Sequence, residues 1–184
     1  LVNMPKIGSQ ALVGQSLGAN NQEQTKNYIQ AAFQSSLFFA LIYGIIIIVF
    51  QKYLIQLFNL SDPAIIQDAQ NYLWITCGFI VFSFVNQIFT GILTAAGHSK
   101  STFIATTTGL VLNLILGPVL IFVFNLRVIG AALATILAQI IVTLVFLYNA
   151  KNLDLFRNIR ILSKPELNHI SEILKIGFPS SVQS

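Results

Sequence analysis

Residues 103–148 read FIATTTGLVLNLILGPVLIFVF, then NLRV, then IGAALATILAQIIVTLVFLY: two apolar runs, 103–124 and 129–148, separated by a link containing the only charge of the stretch, Arg127. A run of about 20 apolar residues, rising about 1.5 Å per residue as an α-helix, is long enough to cross a hydrocarbon core of about 30 Å. The short link makes the two helices antiparallel neighbours. Upstream, residues 29–50 and 72–94 have the same character, and none of the four spans contains Asp, Glu, Lys, Arg or His. The pattern therefore predicts an all-α, polytopic transmembrane helix bundle with four complete spans.

Composition agrees with this reading. Of the 184 residues, 55% are apolar and only 9% are charged, too few to solvate the surface of a soluble domain. The 10 Lys and Arg and 6 Asp and Glu fall almost wholly between the apolar runs and so mark loops. Partial helices flank the four spans. Residues 7–17 are too short to span alone and stop at Gly18, a plausible C-terminal cap. At the other end, Ile176-Gly177-Phe178-Pro179-Ser180 opens a new hydrophobic segment, so 177–184 is expected to start the next transmembrane helix. Position 1 is not Met, and no signal-peptide pattern follows it, so the chain reads as a fragment.

Each loop carries a reason to turn. Asp62 before Pro63 reads as an N-cap with proline at the first helical position. Small and polar residues at 97–101 separate the second and third spans. Orientation follows from the basic residues. Lys26, Lys100, Lys151, Arg157, Arg160, Lys164 and Lys175 fall on one side, against Lys52 and Arg127 on the other, which places the first group in the cytoplasm. Lys6 is left out because its depth is undetermined. Residues 151–176 form a cytoplasmic amphipathic linker, with Leu167, Ile170, Ile173 and Leu174 as its apolar stripe. Ser163 and Glu166 fit a capping box at its start. These features place the chain in a plasma membrane, as in the inner membrane of a bacterium.

The polar groups inside the spans are uncharged and periodic. Thr76, Ser83, Gln87, Thr90 and Thr94 share one face of the 72–94 span. Thr106, Gly109, Asn113 and Gly117 form a stripe in the third span, and Thr135, Gln139 and Thr143 in the fourth. Lipid cannot satisfy amides and hydroxyls, so the stripes should turn toward other helices or a water-filled cavity. Hydroxyls there serve as readily to bond their own backbone or to join helices. Asn113, Gln139 and Gln87 carry more weight, because an amide has both donors and acceptors to satisfy. Pro118 should kink the third span by freeing a backbone carbonyl near Leu114. Gly14 with Gly18, and Gly130 with Ala134 and Ala138, are spaced for close helix packing.

Catalytic chemistry finds no support. His98 and His169 lie outside the spans, and neither has a second His or a carboxylate at metal-ligand spacing. Cys77 is alone and lies in an apolar run. No phosphate-binding glycine loop or nucleophile elbow occurs, and the basic residues near 157–164 are explained by orientation rather than by nucleic acid. Asn59-Leu60-Ser61 matches a glycosylation sequon, a pattern short enough to arise by chance. No cofactor and no enzymatic activity are expected.

Several segments, in order, resemble the amino-terminal half of a multidrug and toxic-compound extrusion (MATE) transporter. They are Gly14-Gln15-Ser16-Leu17-Gly18-Ala19, Thr94-Ala95-Ala96-Gly97-His98-Ser99, Leu112-Asn113 with Gly117-Pro118, Gly130-Ala131-Ala132-Leu133-Ala134-Thr135, and Ile176-Gly177-Phe178-Pro179-Ser180. On this resemblance residues 1–150 are an amino-terminal lobe lacking its first helix, and the four spans are the third to sixth helices of a twelve-helix protein. The resemblance implies a secondary antiporter that exports organic cations or drugs in exchange for Na⁺ or H⁺ by alternating access. Its partners would be the lipid bilayer, a small organic cation, and the first helix and carboxyl-terminal lobe of the same protein. It also implies a cation site to which Asn113 and Thr135 match, while the Asp that many members carry four residues after the Asn is Gly117 here. Asn113, Thr135, Gln139 and Gln87 are thus the candidate cation-binding or cavity-lining residues. A lipid-linked saccharide flippase of the same superfamily would be expected to have a basic cavity, and the uncharged stripes argue against it. A non-transporting membrane fragment is the remaining alternative.

Overall fold

A computed structural model describes residues 3–57, 63–151, 153–156 and 167–182. Seven α-helices follow one another among these residues: α1 (Asn3–Gly18), α2 (Gln22–Leu57), α3 (Pro63–Gly78), α4 (Ile80–Ala95), α5 (Ser99–Pro118), α6 (Arg127–Lys151) and α7 (Leu167–Val182). A π-helical turn, Val119–Val123, extends α5, and a short 3₁₀ turn, Asp154–Phe156, follows α6. Asp62, the sequon at 59–61, the basic residues at 157–164 and the capping pair Ser163 and Glu166 lie outside the described residues. Among the described residues three helices are long and apolar enough to cross a membrane, and the bent pair α3–α4, taken as one span, makes a fourth. The chain is a multi-pass membrane protein with the all-α architecture expected from its apolar runs.

Four boundaries differ from expectation. The span expected at 29–50 is the middle of the 36-residue α2. At about 1.5 Å per residue α2 is longer than a hydrocarbon core is thick, so its polar ends run past the apolar stretch. The span expected at 72–94 is not one helix: it breaks at Phe79, where α3 and α4 meet at 44°. Gly78, last in α3, is a weak helix former at that point. Thr76 therefore lies before the break and does not share one straight face with Ser83, Gln87, Thr90 and Thr94. The third correction concerns the boundary between 176 and 177, which α7 crosses without interruption. Pro179 sits inside that helix, and among the described residues the linker helix and the start of the next segment are one element.

The fourth concerns the first turn of the chain. Gly18 is helical, and the residue with left-handed backbone is Asn20, φ 56°. The Asn21 amide donates to the Ser16 carbonyl and the Asn20 amide to the Leu17 carbonyl, both at 3.0 Å, the double bond of a Schellman turn. Asn21 then caps α2, its Oδ1 accepting the Gln24 amide at 3.1 Å. An asparagine tolerates both jobs: its short polar side chain relieves the left-handed conformation and fills an N-cap. Gly97, φ 79°, closes α4 with the same pair of bonds, from the His98 amide to the Leu93 carbonyl and from its own amide to Thr94.

Packing concentrates at the end of the bundle where α1 turns into α2 and α4 into α5. Val13, Ile29, Ile88, Ile92, Leu93, Phe146 and Ile173 are buried there in one cluster. Phe89 lies at its centre, edge-on to Phe33 with ring centroids 5.0 Å apart and stacked on Phe146 at 5.6 Å. The outer faces of α2, α5 and the π turn instead expose Leu41, Ile45, Val49, Leu114 and Phe122, the surface a lipid-facing helix presents.

Pro118 stands at the junction between α helix and π turn. A π turn widens the helix by one residue, and here the Phe124 amide reaches back to the Val119 carbonyl at 3.2 Å. The turn packs on the start of α6 at Gly130, where an added Cβ would lie 2.8 Å from both the carbonyl carbon and oxygen of Leu120. Gly130→Ala is expected to push the π turn off α6 and to lower stability by about 1–3 kcal/mol, read as a lower temperature of aggregation in detergent.

Candidate functional site

The polar stripes of α4, α5 and α6 meet around one cavity of about 370 Å³, which α1 also reaches. Ser83, Asn86, Gln87 and Thr90 line it from α4, Thr106, Gly109 and Asn113 from α5, Gln139 and Val142 from α6, and Lys6 from α1. The helices approach closely enough to form it because small residues stand at the crossings. Gly109 is buried against Val142, whose Cγ2 an added Cβ would strike. Ala134 and Ala138 are buried on the same side of α6. A Cβ added at Gly14 would meet only the Ala95 methyl, at 3.8 Å, and one at Gly18 nothing within 4 Å, so neither glycine is required by a close helix crossing among the described residues.

Asn86 is the structural centre of the site. Its Nδ2 donates to the Gln139 backbone carbonyl at 3.0 Å and to Gln139 Oε1 at 2.7 Å. Its Oδ1 lies 2.9 Å from the Thr143 hydroxyl, whose single proton is shared with the Gln139 carbonyl at 2.8 Å. Three bonding positions of one buried amide thus tie α4 to α6, as a fully satisfied polar network in a membrane interior should. These bonds orient Gln139, whose Oε1 is taken by Asn86 and whose Nε2 is left for the cavity.

Asn113 and Thr135 form a second, looser cross-link between α5 and α6, with Asn113 Nδ2 3.4 Å from Thr135 Oγ1. The Thr135 hydroxyl donates to the Ala131 carbonyl at 3.0 Å, one turn back on its own helix, which leaves its lone pairs for the amide. Asn113, Gln139 and Gln87 all line the cavity, and Thr135 reaches it through Asn113. Gly117, one turn beyond Asn113, is buried, yet an added Cβ there would meet nothing within 4 Å. The threonine hydroxyls of α4 turn inward on their own backbone, Thr90 to the Asn86 carbonyl and Thr94 to that of Thr90, at 2.8 and 2.7 Å.

Two residues of the site escaped the sequence reading. Asn86 stands three residues after Ser83 and four before Thr90, so it lies at the edge of the stripe that singled out Gln87, and the sequence reading passed over it. Its amide was the available signal, since a four-position hydrogen-bonding group in an apolar run requires partners. Lys6 had been left without a place, and the structure sets it on the cavity wall. Among the described residues no group of three His, Cys, Asp or Glu side chains is arranged to hold a metal ion.

The MatE family model matches residues 5–119, well over half of the chain. The chain belongs to the MatE family. Its MatE-family relatives include the multidrug export protein MepA of Staphylococcus aureus strain NCTC 8325 / PS 47, 29% identical over 189 residues covering 100% of this chain and 41% of that protein. MepA of Staphylococcus saprophyticus is 27% identical over 198 residues, again 100% of this chain and 41% of the relative. The chain thus spans about two-fifths of the length of these curated relatives. Among solved MatE-type structures, an inward-facing multidrug resistance MATE family transporter of the MOP superfamily aligns with TM-score 0.88 and 22% identity over 98% of this chain and 41% of that one. An outward-facing form aligns at TM-score 0.84, with 22% identity over 98% and 40% of the two chains. The fold is therefore about half of a MATE transporter, and the MatE family consists of transporters rather than enzymes.

Proposed function

We propose that the chain is the amino-terminal lobe of a secondary antiporter that exports organic cations or drugs in exchange for Na⁺ or H⁺ by alternating access. Residues 1–150 are the lobe, and the segment from 151 leads from the cytoplasmic face toward the second lobe. The observation that carries this reading is the polar cavity between α1, α4, α5 and α6, set in a bundle whose outer face is apolar. Membrane helices keep such groups inside only where they join helices or line a path for solute. The likeness to both an inward- and an outward-facing transporter supports a lobe that moves as a body.

Asn113, Thr135, Gln139 and Gln87 are the residues proposed to meet solute or coupling ion. Neutral oxygens from an amide and a hydroxyl suit Na⁺ coordination, and Asn113 with Thr135 supplies both within one contact. Among the described lining residues none carries a carboxylate, so uptake of a proton would fall to other parts of the protein. Open space at Gly117 tests the assignment. Gly117→Asp is expected to fold and to raise Na⁺ affinity about tenfold or more, measured by ²²Na⁺ binding, because a carboxylate would stand one turn from Asn113. Transport itself is tested by following efflux of a fluorescent organic cation from cells expressing the complete gene that encodes this chain. Efflux that stops when the Na⁺ or H⁺ gradient is collapsed is the expected result and identifies the ion. Efflux indifferent to both gradients would overturn the antiport reading.

A further inference from the structure

We infer that Asn86 sets the specificity of the cavity by fixing Gln139 as a hydrogen-bond donor, so that the site prefers organic cations that also carry a neutral acceptor such as a carbonyl oxygen. The inference deepens the antiporter reading and rests on it. A backbone carbonyl only accepts hydrogen bonds, so the end of the Asn86 amide that faces the Gln139 carbonyl, at 3.0 Å, is the nitrogen. The same nitrogen stands 2.7 Å from the Gln139 side-chain amide, which therefore meets it with Oε1. The other end, Asn86 Oδ1, accepts the Thr143 hydroxyl at 2.9 Å. One main-chain oxygen thus decides which way both side-chain amides point. Gln139 lines the cavity, and its remaining polar group, Nε2, has no acceptor among the described residues.

The α5 side has the opposite polarity. Thr135 donates its hydroxyl proton to the Ala131 carbonyl at 3.0 Å, so its oxygen faces Asn113 as an acceptor. Asn113 meets it with Nδ2, at 3.4 Å, and keeps Oδ1 for another partner. An oxygen on α5 suits a positive charge, whereas an N–H group on α6 suits an oxygen. A cation that carries a carbonyl group satisfies both walls, and Leu110 and Val142 on the same cavity would meet its hydrocarbon frame. A solute without the acceptor leaves the Gln139 donor unsatisfied once water is displaced, and the site disfavours it. Asn86 is a positioning residue here, because its own donors are taken and it acts on the solute through Gln139.

The test is equilibrium dialysis, in lipid nanodiscs, of the protein encoded by the complete gene. The probes are radiolabelled (4-acetylphenyl)trimethylammonium and (4-isopropenylphenyl)trimethylammonium, equal in charge and shape and different only in a carbonyl oxygen against a methylene. The affinity ratio of the acetyl to the isopropenyl probe should fall about threefold or more in Gln139→Met, the size of one neutral hydrogen bond. Asn86→Leu should also lower the ratio, yet leave it unchanged when added to Gln139→Met, since its effect runs through Gln139. A merely structural role would weaken both probes alike. A ratio unaffected by Gln139→Met, or by Asn86→Leu alone, would overturn the inference and leave the antiporter reading standing. No saturable binding of either probe would overturn both. Should Asn86→Leu fail to fold, ¹⁵N-glutamine NMR of the unaltered protein decides, with the Gln139 side-chain signal identified by its loss in Gln139→Met. A shift of that signal with the acetyl probe alone supports the inference, and equal shifts with both refute it.

Discussion

Replacing Gly8 or Gly177 with alanine is expected to separate α1 from α7 and to cost about 3 kcal/mol or more for each, the upper range for overpacking, because the obstacle is backbone rather than a movable side chain. An added Cβ at Gly8 would run into the carbonyl oxygen of Ile173, and one at Gly177 into that of Met4. Met4 and Gly8 are one turn apart on α1, as Ile173 and Gly177 are on α7, so the two helices touch backbone to backbone over a full turn. Small residues permit such approach between membrane helices, where dispersion and weak polar contacts replace the hydrophobic effect. Alongside, the Tyr28 hydroxyl donates to Glu172 Oε2 at 2.8 Å and fastens α2 to α7. Proteolysis in the α6–α7 connection, followed by gel analysis, checks the prediction. The alanine variants should be cleaved at least several times faster than the unaltered protein, and equal rates would show that α7 does not depend on this contact.

Asn86→Leu should be the most damaging single change inside the polar cavity. It removes both donors that hold Gln139 and one acceptor of Thr143, leaving Gln139 Oε1 without its partner while the Thr143 hydroxyl keeps only the Gln139 carbonyl. With about 0.6–2 kcal/mol for each hydrogen bond between membrane helices, a loss of about 2 kcal/mol in total is expected. Thr143→Val alone should cost less, since its hydroxyl keeps no role beyond this network and its own helix. The double variant should cost less than the sum of the two by about 1 kcal/mol, the signature of side chains acting as one unit. Thermal melts of the four proteins in the same detergent measure this. Strict additivity would mean that Asn86 and Thr143 act independently.

The spans were legible because lipid imposes one simple demand, a long uncharged run, and residues 29–50, 103–124 and 129–148 meet it without ambiguity. The break at Phe79 was not, since Gly78 is the one glycine beside it and a single glycine does not by itself bend a helix. Pro118 marked a real irregularity, but whether a proline kinks a helix or opens a π turn depends on what packs beside it, here Gly130 from a different span. Periodicity found Gln87, Asn113 and Gln139. It passed over Asn86, which has the same helical spacing to Ser83 and Thr90 and lies at the edge of that face, where it bonds sideways to α6. The α1–α7 contact was hidden for a related reason: Gly8 and Gly177 are far apart in sequence, and only the folded chain shows that their backbones meet.

The central claim is that the polar stripes of α4, α5 and α6 line a water-accessible cavity while the opposite faces meet lipid. Cysteine accessibility tests it most directly. In a Cys77→Ala background, single cysteines at Gln87, Asn113 and Gln139 are labelled in membranes with a charged, water-soluble thiol reagent, with Leu114 and Leu144 as outward-facing controls. Labelling at the three cavity positions and none at the two controls is the predicted result. Labelling confined to Leu114 and Leu144, or absent from all three cavity positions, would contradict the account.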